Sequence, residues 1–141
     1  MKVRGPAKPK LHPTRILVVE DDPVSRLMME ALLSRWGYAP RLVDAGPAAL
    51  DAVEQEVPDI VLLDIGLPGM DGFEVARCLR RLPGGNNLFI AAVTAFCGEE
   101  YKREARVAGF DRYLEKPVDI DILRQLLSQI SRTVEGRGEP A

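Results

Sequence analysis

Glu20, Asp21 and Asp22 stand in a row directly after a short apolar run, Asp64 follows another such run, Thr94 ends a further one, and Lys116 lies just past a last strand-like segment. Each has a bland explanation alone, since Asp and Thr commonly cap the helix that follows a strand. Together they ask for more. Three carboxylates drawn to one place raise one another's pKa values and destabilise a fold unless a cation offsets them. Carboxylates with backbone oxygen and water suit a hard divalent ion, and one or two carboxylates plus waters plus a substrate phosphate is the habit of Mg2+. With a lysine and a hydroxyl opposite, such a group makes a phosphoryl-transfer site in which an Asp serves as nucleophile. Beyond residue 15 the chain uses twelve arginines and only two lysines, so Lys116 marks a place where a compact point charge is wanted.

Strand-like and helix-like segments alternate five times and must position these groups. RILVV (15–19) precedes a helical stretch from Pro23 to Trp36, in which Leu27, Met28, Ala31, Leu32 and Leu33 keep helical spacing and Gly37 ends the helix. PRLVD (40–44) precedes Pro47 to Gln55, DIVLL (59–63) precedes Gly72 to Leu82, LFIAAV (88–93) precedes Gly98 to Val107, and DRYL (111–114) precedes Asp119 to Ser131. Five βα units in series predict a parallel sheet with helices on both faces. Runs one, three and four are continuously apolar, as strands covered on both faces must be. Runs two and five mix in Arg41, Asp44, Asp111, Arg112 and Glu115 and read as edges. The expected architecture is therefore a flavodoxin-like, doubly wound (βα)5 three-layer sandwich with strand order 2-1-3-4-5, whose binding crevice lies at the carboxyl ends of strands one and three.

Composition removes other classes of function. The 141 residues carry a formal charge of −2, but residues 1–15 hold Lys2, Arg4, Lys8, Lys10 and Arg15 with no acid, which leaves −7 for the remainder. An acidic domain argues against nucleic acid as a direct partner. Apolar runs such as Ile16 to Val19 fall far short of the roughly 20 residues of a membrane helix, and the charged start leads into no hydrophobic signal region. Cys78 and Cys97 form no CxxC and no zinc pattern, which reads as free thiols in a reducing cytoplasm. Residues 1–14 read as a disordered basic tail, 15–133 as the folded domain and 134–141 as a second disordered tail, with Met1 and the two tails favouring a complete short chain. His12, the only histidine, sits in the first tail without partners.

VVEDDP (18–23), LLDIGLPGMDG (62–72), VTA (93–95) and EKP (115–117), in order and in register, resemble the receiver domain of two-component response regulators of the chemotaxis-regulator type, over about residues 15–131. The resemblance implies that Asp64 is the phosphoacceptor, and that Glu20 and Asp21 hold Mg2+ with Asp64 and the backbone carbonyl of Gly66. It further implies that Thr94 and Lys116 contact the phosphoryl oxygens, that Tyr113 is the aromatic switch, and that the Lys116–Pro117 peptide is cis. The implied donor is a phosphohistidine on a histidine kinase or phosphotransfer protein, and the implied output is a remodelled face of the fourth helix, fifth strand and fifth helix, with Lys102, Arg103, Arg106, Arg112 and Asp119 exposed to an unknown downstream protein. A homodimer formed on phosphorylation is among the partners the resemblance allows. Such a protein catalyses only its own phosphorylation and dephosphorylation.

Asp22 and Asp71 fall outside this set and read as helix caps. Glu20 stands where the family more commonly has Asp, which lengthens one ligand arm. Gly66 offers no side chain to shield an acyl phosphate, whereas Phe96 is bulky and apolar; both positions tune phosphoryl lifetime in the family, and here they can act against each other. A haloacid-dehalogenase-type enzyme needs a second Asp two residues after the first, where this chain has Gly66. A pseudo-receiver would have lost site residues, and a flavodoxin-type cofactor binder would not place three acids after strand one. A receiver excised from a hybrid histidine kinase or phosphorelay remains the alternative origin.

Overall fold

The computed structural model describes residues 13–138. Its elements are β1 (Ile16–Val19), α1 (Pro23–Arg35), β2 (Arg41–Val43), α2 (Gly46–Gln55), β3 (Ile60–Leu63), α3 (Gly72–Arg81), β4 (Phe89–Thr94), α4 (Glu99–Ala108), β5 (Arg112–Glu115) and α5 (Ile120–Gly138), with a short 3-10 turn at Gly85–Asn87. The five strands form one parallel sheet in the order β2-β1-β3-β4-β5, as the apolar and mixed runs predict. Every residue of β1 and β3 is buried, while β2 and β5 keep exposed or half-buried positions at the two edges.

Alternation along the strands splits the core in two. Leu17, Val19, Val61, Leu63, Ile90 and Ala92 face α2, α3 and α4, where Val53, Val75, Ala76, Leu79 and Ala105 meet them. Ile16, Val18, Ile60, Leu62, Ala91 and Val93 face the other way, onto Leu33 of α1 and Leu123, Leu126 and Leu127 of α5. Fully burying one such side chain is worth about 1.5–3 kcal/mol, so this period-two pattern fixes which face each strand presents. Register then carries the polar residues into line. Val19 pairs with Leu63, so Glu20 and Asp64 leave adjacent strands at the same level.

At the opposite, amino end of the sheet Arg80 joins four segments. Its guanidinium donates to the carbonyls of Gly85 and Leu88 at 2.8 and 2.6 Å, to that of Gly109 at 3.0 and 2.6 Å, and to Asp111 at 2.8 Å. Gly109 ends α4 with φ +111°, and a Cβ there would come within 2.9 Å of the Arg80 stem, so glycine is required twice over.

Three expectations change. Leu27 and Met28, which belong to the apolar helical spacing read for α1, are 66% and 68% exposed, because only Leu33 of that helix reaches the core fully. The folded body also extends past the boundaries drawn at 15 and 133. Thr14 is buried, and α5 runs on to Gly138, since its backbone continues helical through a polar stretch that composition alone reads as tail. His12 and the remaining tail assignments fall at residues 1–12 and 139–141, outside the described residues.

Candidate functional site

The loop after β1 is held from all sides. Asp22 caps α1, its carboxylate accepting from the Ser25 N–H at 2.9 Å, and Pro23 supplies the fixed φ of the first helical turn. The Glu20 N–H donates to the Val43 carbonyl of β2 at 3.1 Å, so β2 contributes a backbone anchor rather than a side chain. After β3, the Asp64 N–H donates to Val19 at 3.1 Å and the Gly66 N–H donates back to Asp64 Oδ1 at 3.0 Å. Helix α3 starts hard against this peptide. A Cβ on Gly72 would lie 2.4 Å from the Asp64 carbonyl oxygen, so only glycine lets the helix begin there, and Asp71 caps it through the Glu74 N–H at 2.9 Å.

Glu20, Asp21 and Asp64 thereby converge, with a carboxylate oxygen from each lying within 4.8 Å of the others. Lys116 reaches them from β5. Its N–H extends the ladder to the Thr94 carbonyl at 2.8 Å, and the Lys116–Pro117 peptide is cis, as the resemblance implies. The ammonium donates to Glu20 Oε1 and, at 3.4 Å, to Asp64 Oδ2. Burial pushes the Glu20 carboxyl above its usual range; Lys116 opposes that rise and the neighbouring Asp64 charge adds to it. For Lys116, burial works to lower the pKa, but the hydrogen bond to Glu20 and the charge of Asp64 prevail and raise it. Both groups hold their protons more tightly than free ones do, Glu20 chiefly because it is buried and Lys116 because carboxylates face it.

Thr94 and Tyr113 do not join this group directly. Thr94 is fully buried, and its hydroxyl accepts from the Phe96 N–H at 3.2 Å; the Tyr113 hydroxyl donates to the Phe96 carbonyl at 2.6 Å. One residue thus bridges the two. The Phe96 ring stacks at 5.1 Å on Tyr101 and lies over Gly66, where a Cβ would meet Phe96 Cζ at 3.2 Å. Burial, then the nearby Glu115, pushes the Tyr113 phenol up to about 12. Spacing alone does not reveal this stack, because positions 66 and 96 belong to different strands' loops.

A groove of about 690 Å3 between α1 and the start of α5, lined by Met28, Leu32, Pro117, Val118 and Ile120, ends at Glu20, Asp64 and Lys116. No helix among the described residues is long and apolar enough to cross a membrane.

The family model of the response regulator receiver domain matches residues 16–128, the span that contains every one of these side chains. The chain belongs to that family. A receiver with this fold is 33% identical to the receiver domain of a Pseudomonas aeruginosa sensor histidine kinase, solved with a magnesium ion coordinated in its active site cleft (TM-score 0.78, covering 84% of this chain and 97% of that one). It is 39% identical over 114 residues to a 14.6 kDa protein of Leptolyngbya boryana, covering 81% of this chain and 87% of that protein. Against the response regulator MprA of Mycolicibacterium vanbaalenii it is 38% identical over 132 residues, 92% of this chain but 56% of the relative. Against the sensor protein GacS of Pseudomonas syringae it is 37% identical over 116 residues, which is 80% of this chain and only 13% of the sensor. The receiver therefore spans about half of one curated relative and about an eighth of another. It is a receiver domain of two-component signalling.

Proposed function

We propose that this receiver accepts a phosphoryl group on Asp64 from a phosphohistidine of a histidine kinase or phosphotransfer protein, in a Mg2+-dependent reaction. The observation that carries the reading is Asp64 itself, gripped at Oδ1 by the Gly66 N–H and at Oδ2 by Lys116 inside a three-carboxylate cluster. An all-oxygen donor set of this charge fits a hard cation, and Glu20, Asp21, Asp64 and the Gly66 carbonyl would hold it. Bound there, the ion supplies the positive charge that offsets three carboxylates and an incoming phosphoryl group. With Oδ1 fixed, Oδ2 is the oxygen that attacks phosphorus; the O–P bond forms as the P–N bond breaks, and the electron pair returns to the imidazole. Lys116, already on Oδ2, follows the charge onto the phosphoryl oxygens.

Release of the switch follows from the same hydrogen bonds. When the Thr94 hydroxyl turns to a phosphoryl oxygen it leaves the Phe96 N–H, and Tyr113, tied to the Phe96 carbonyl, rotates inward. The face of α4, β5 and α5, with Lys102, Arg103, Arg106 and Arg112, shifts between two populations and is read by a downstream protein or a second copy of the receiver. The donor seats on the other side. Val24, Leu27 and Met28 of α1 and Ile120 of α5 are exposed, Met28 and Ile120 line the groove that ends at Asp64, and together they fit the apolar surface of a phosphohistidine-bearing helix. The receiver works as a single-domain regulator, catalysing only its own phosphorylation and dephosphorylation. The 14.6 kDa relative, mostly spanned by this chain, supports that reading, and the match inside GacS favours the second, a module of a hybrid kinase.

Incubation with acetyl phosphate and Mg2+ should give a single alkali-labile phosphoryl adduct by mass spectrometry that Asp64→Asn lacks. No adduct on the wild type, or the same adduct on the variant, sinks the assignment.

A further inference from the structure

We propose that Arg26, which touches none of the reacting groups, is a positioning residue that orients the acidic pair for cation binding. This inference rests on the Mg2+ reading above. Arg26 lies one turn into α1, and its Nη1 donates to two successive carbonyls, Glu20 at 2.9 Å and Asp21 at 3.3 Å. Its own N–H closes the first helical bond, onto the Asp22 carbonyl at 2.9 Å. Two consecutive peptide planes are thereby turned to face α1, which leaves the carboxylates of Glu20 and Asp21 to face Asp64.

Without that tether the loop has reason to move. Repulsion among three carboxylates within 4.8 Å favours rotating the Glu20–Asp21 peptides apart, and the remaining anchors are the Glu20 N–H on Val43, the Asp22 cap, the Asp22 N–H on Glu20 Oε2 at 3.3 Å and Lys116 on Glu20 Oε1, none of which holds the carbonyl of Glu20 or of Asp21. A guanidinium suits the task because it is always charged and presents its donors in a fixed plane. Through the Glu20 and Asp21 carbonyls it also brings positive charge toward the cluster without competing for a carboxylate oxygen, as Lys116 does.

The test compares the full-length wild type with Arg26→Ala and Arg26→Lys. In the metal-free protein, 15N relaxation at Asp21 and Asp22 should show new slow exchange in Arg26→Ala, while β4 and β5 keep their wild-type values. Calorimetric titration with Mg2+ should show affinity weakened about 10- to 100-fold, the usual effect of losing a group that orients metal ligands. Arg26→Lys, which keeps the charge without the planar fork, serves if the alanine variant fails to fold, and should weaken affinity by about threefold or more on the same grounds. Wild-type affinity in either variant overturns the proposal, and so does weakened affinity with an unchanged loop. If the wild type itself binds no Mg2+, the metal reading falls, and the relaxation of residues 20–22 still decides whether Arg26 holds the loop.

Discussion

Arg80 and Lys116 bind opposite ends of the same sheet, and their side chains are almost equally covered, at 20% and 25% exposure. Their partners differ in kind. Arg80 spends its donors on three backbone carbonyls and one carboxylate that itself accepts the Ile90 N–H, so nothing at that end can move without leaving buried carbonyls unpaired. Lys116 meets only side-chain carboxylates, and its point charge can slide from one oxygen to another. The contrast teaches that burial of a cation does not tell what it is for. A fork on carbonyls makes a joint; an ammonium on carboxylates makes a site.

The comparison breaks most visibly under substitution of the two cations. Lys116→Ala should slow phosphorylation by acetyl phosphate on the order of 100-fold or more with a modest change in melting, and Lys116→Arg should not restore the rate, because the fork does not fit a site built for a point charge. Arg80→Ala should do the reverse. It should cost about 2–4 kcal/mol in urea unfolding by orphaning buried carbonyls, while phosphorylation well below the melting temperature stays within a few-fold of wild type. Equal losses of rate in both variants would erase the distinction.

A smaller effect separates the donor face from the chemistry. Met28→Glu should lower phosphotransfer from a cognate histidine kinase about tenfold, the size of one well-placed interface contact, and leave the acetyl phosphate rate unchanged. Acid should sharpen the picture at the carboxyl end. Because the Glu20 carboxyl holds its proton above the ordinary value, protons compete with Mg2+ at mildly acidic pH; calorimetry should show proton release on binding and an affinity that rises with pH through this range, both reduced in Glu20→Gln. Smallest is the alkaline change. With the Tyr113 phenol at about 12 against 10 unfolded, the fold prefers the neutral form, so its contribution is complete below pH 10 and lost as pH climbs to about 12; absorbance at alkaline pH should show one late tyrosine that Tyr113→Phe removes.

Much of this was legible in residue order. Alternating apolar runs and helical spacing define the five βα units, and the polar residues inside β2 and β5 reveal the sheet edges. Glu20, Asp21, Asp64 and Lys116 converge because strand ends in a parallel sheet share one rim. What spacing hides is contact across loops. The bridge through Phe96 and the tether of Arg26 depend on where side chains turn after leaving their elements, and the exposure of Leu27 and Met28 depends on how closely α1 approaches its neighbours. Periodicity marks an apolar stripe; it does not say whether the rest of the same chain covers it.

The ring of Phe96 over Gly66 carries a consequence for how such a chain can change. A side chain at 66 must displace that ring by a few tenths of an ångström or more, so the two positions are not free to mutate separately. Descent through a smaller residue at 96 followed by a larger one at 66 needs no adjustment; the opposite order requires the Phe96 ring to give way first. Among relatives, the sizes at these two places should therefore be inversely correlated, and a double exchange such as Phe96→Ala with Gly66→Met should be better tolerated than Gly66→Met alone.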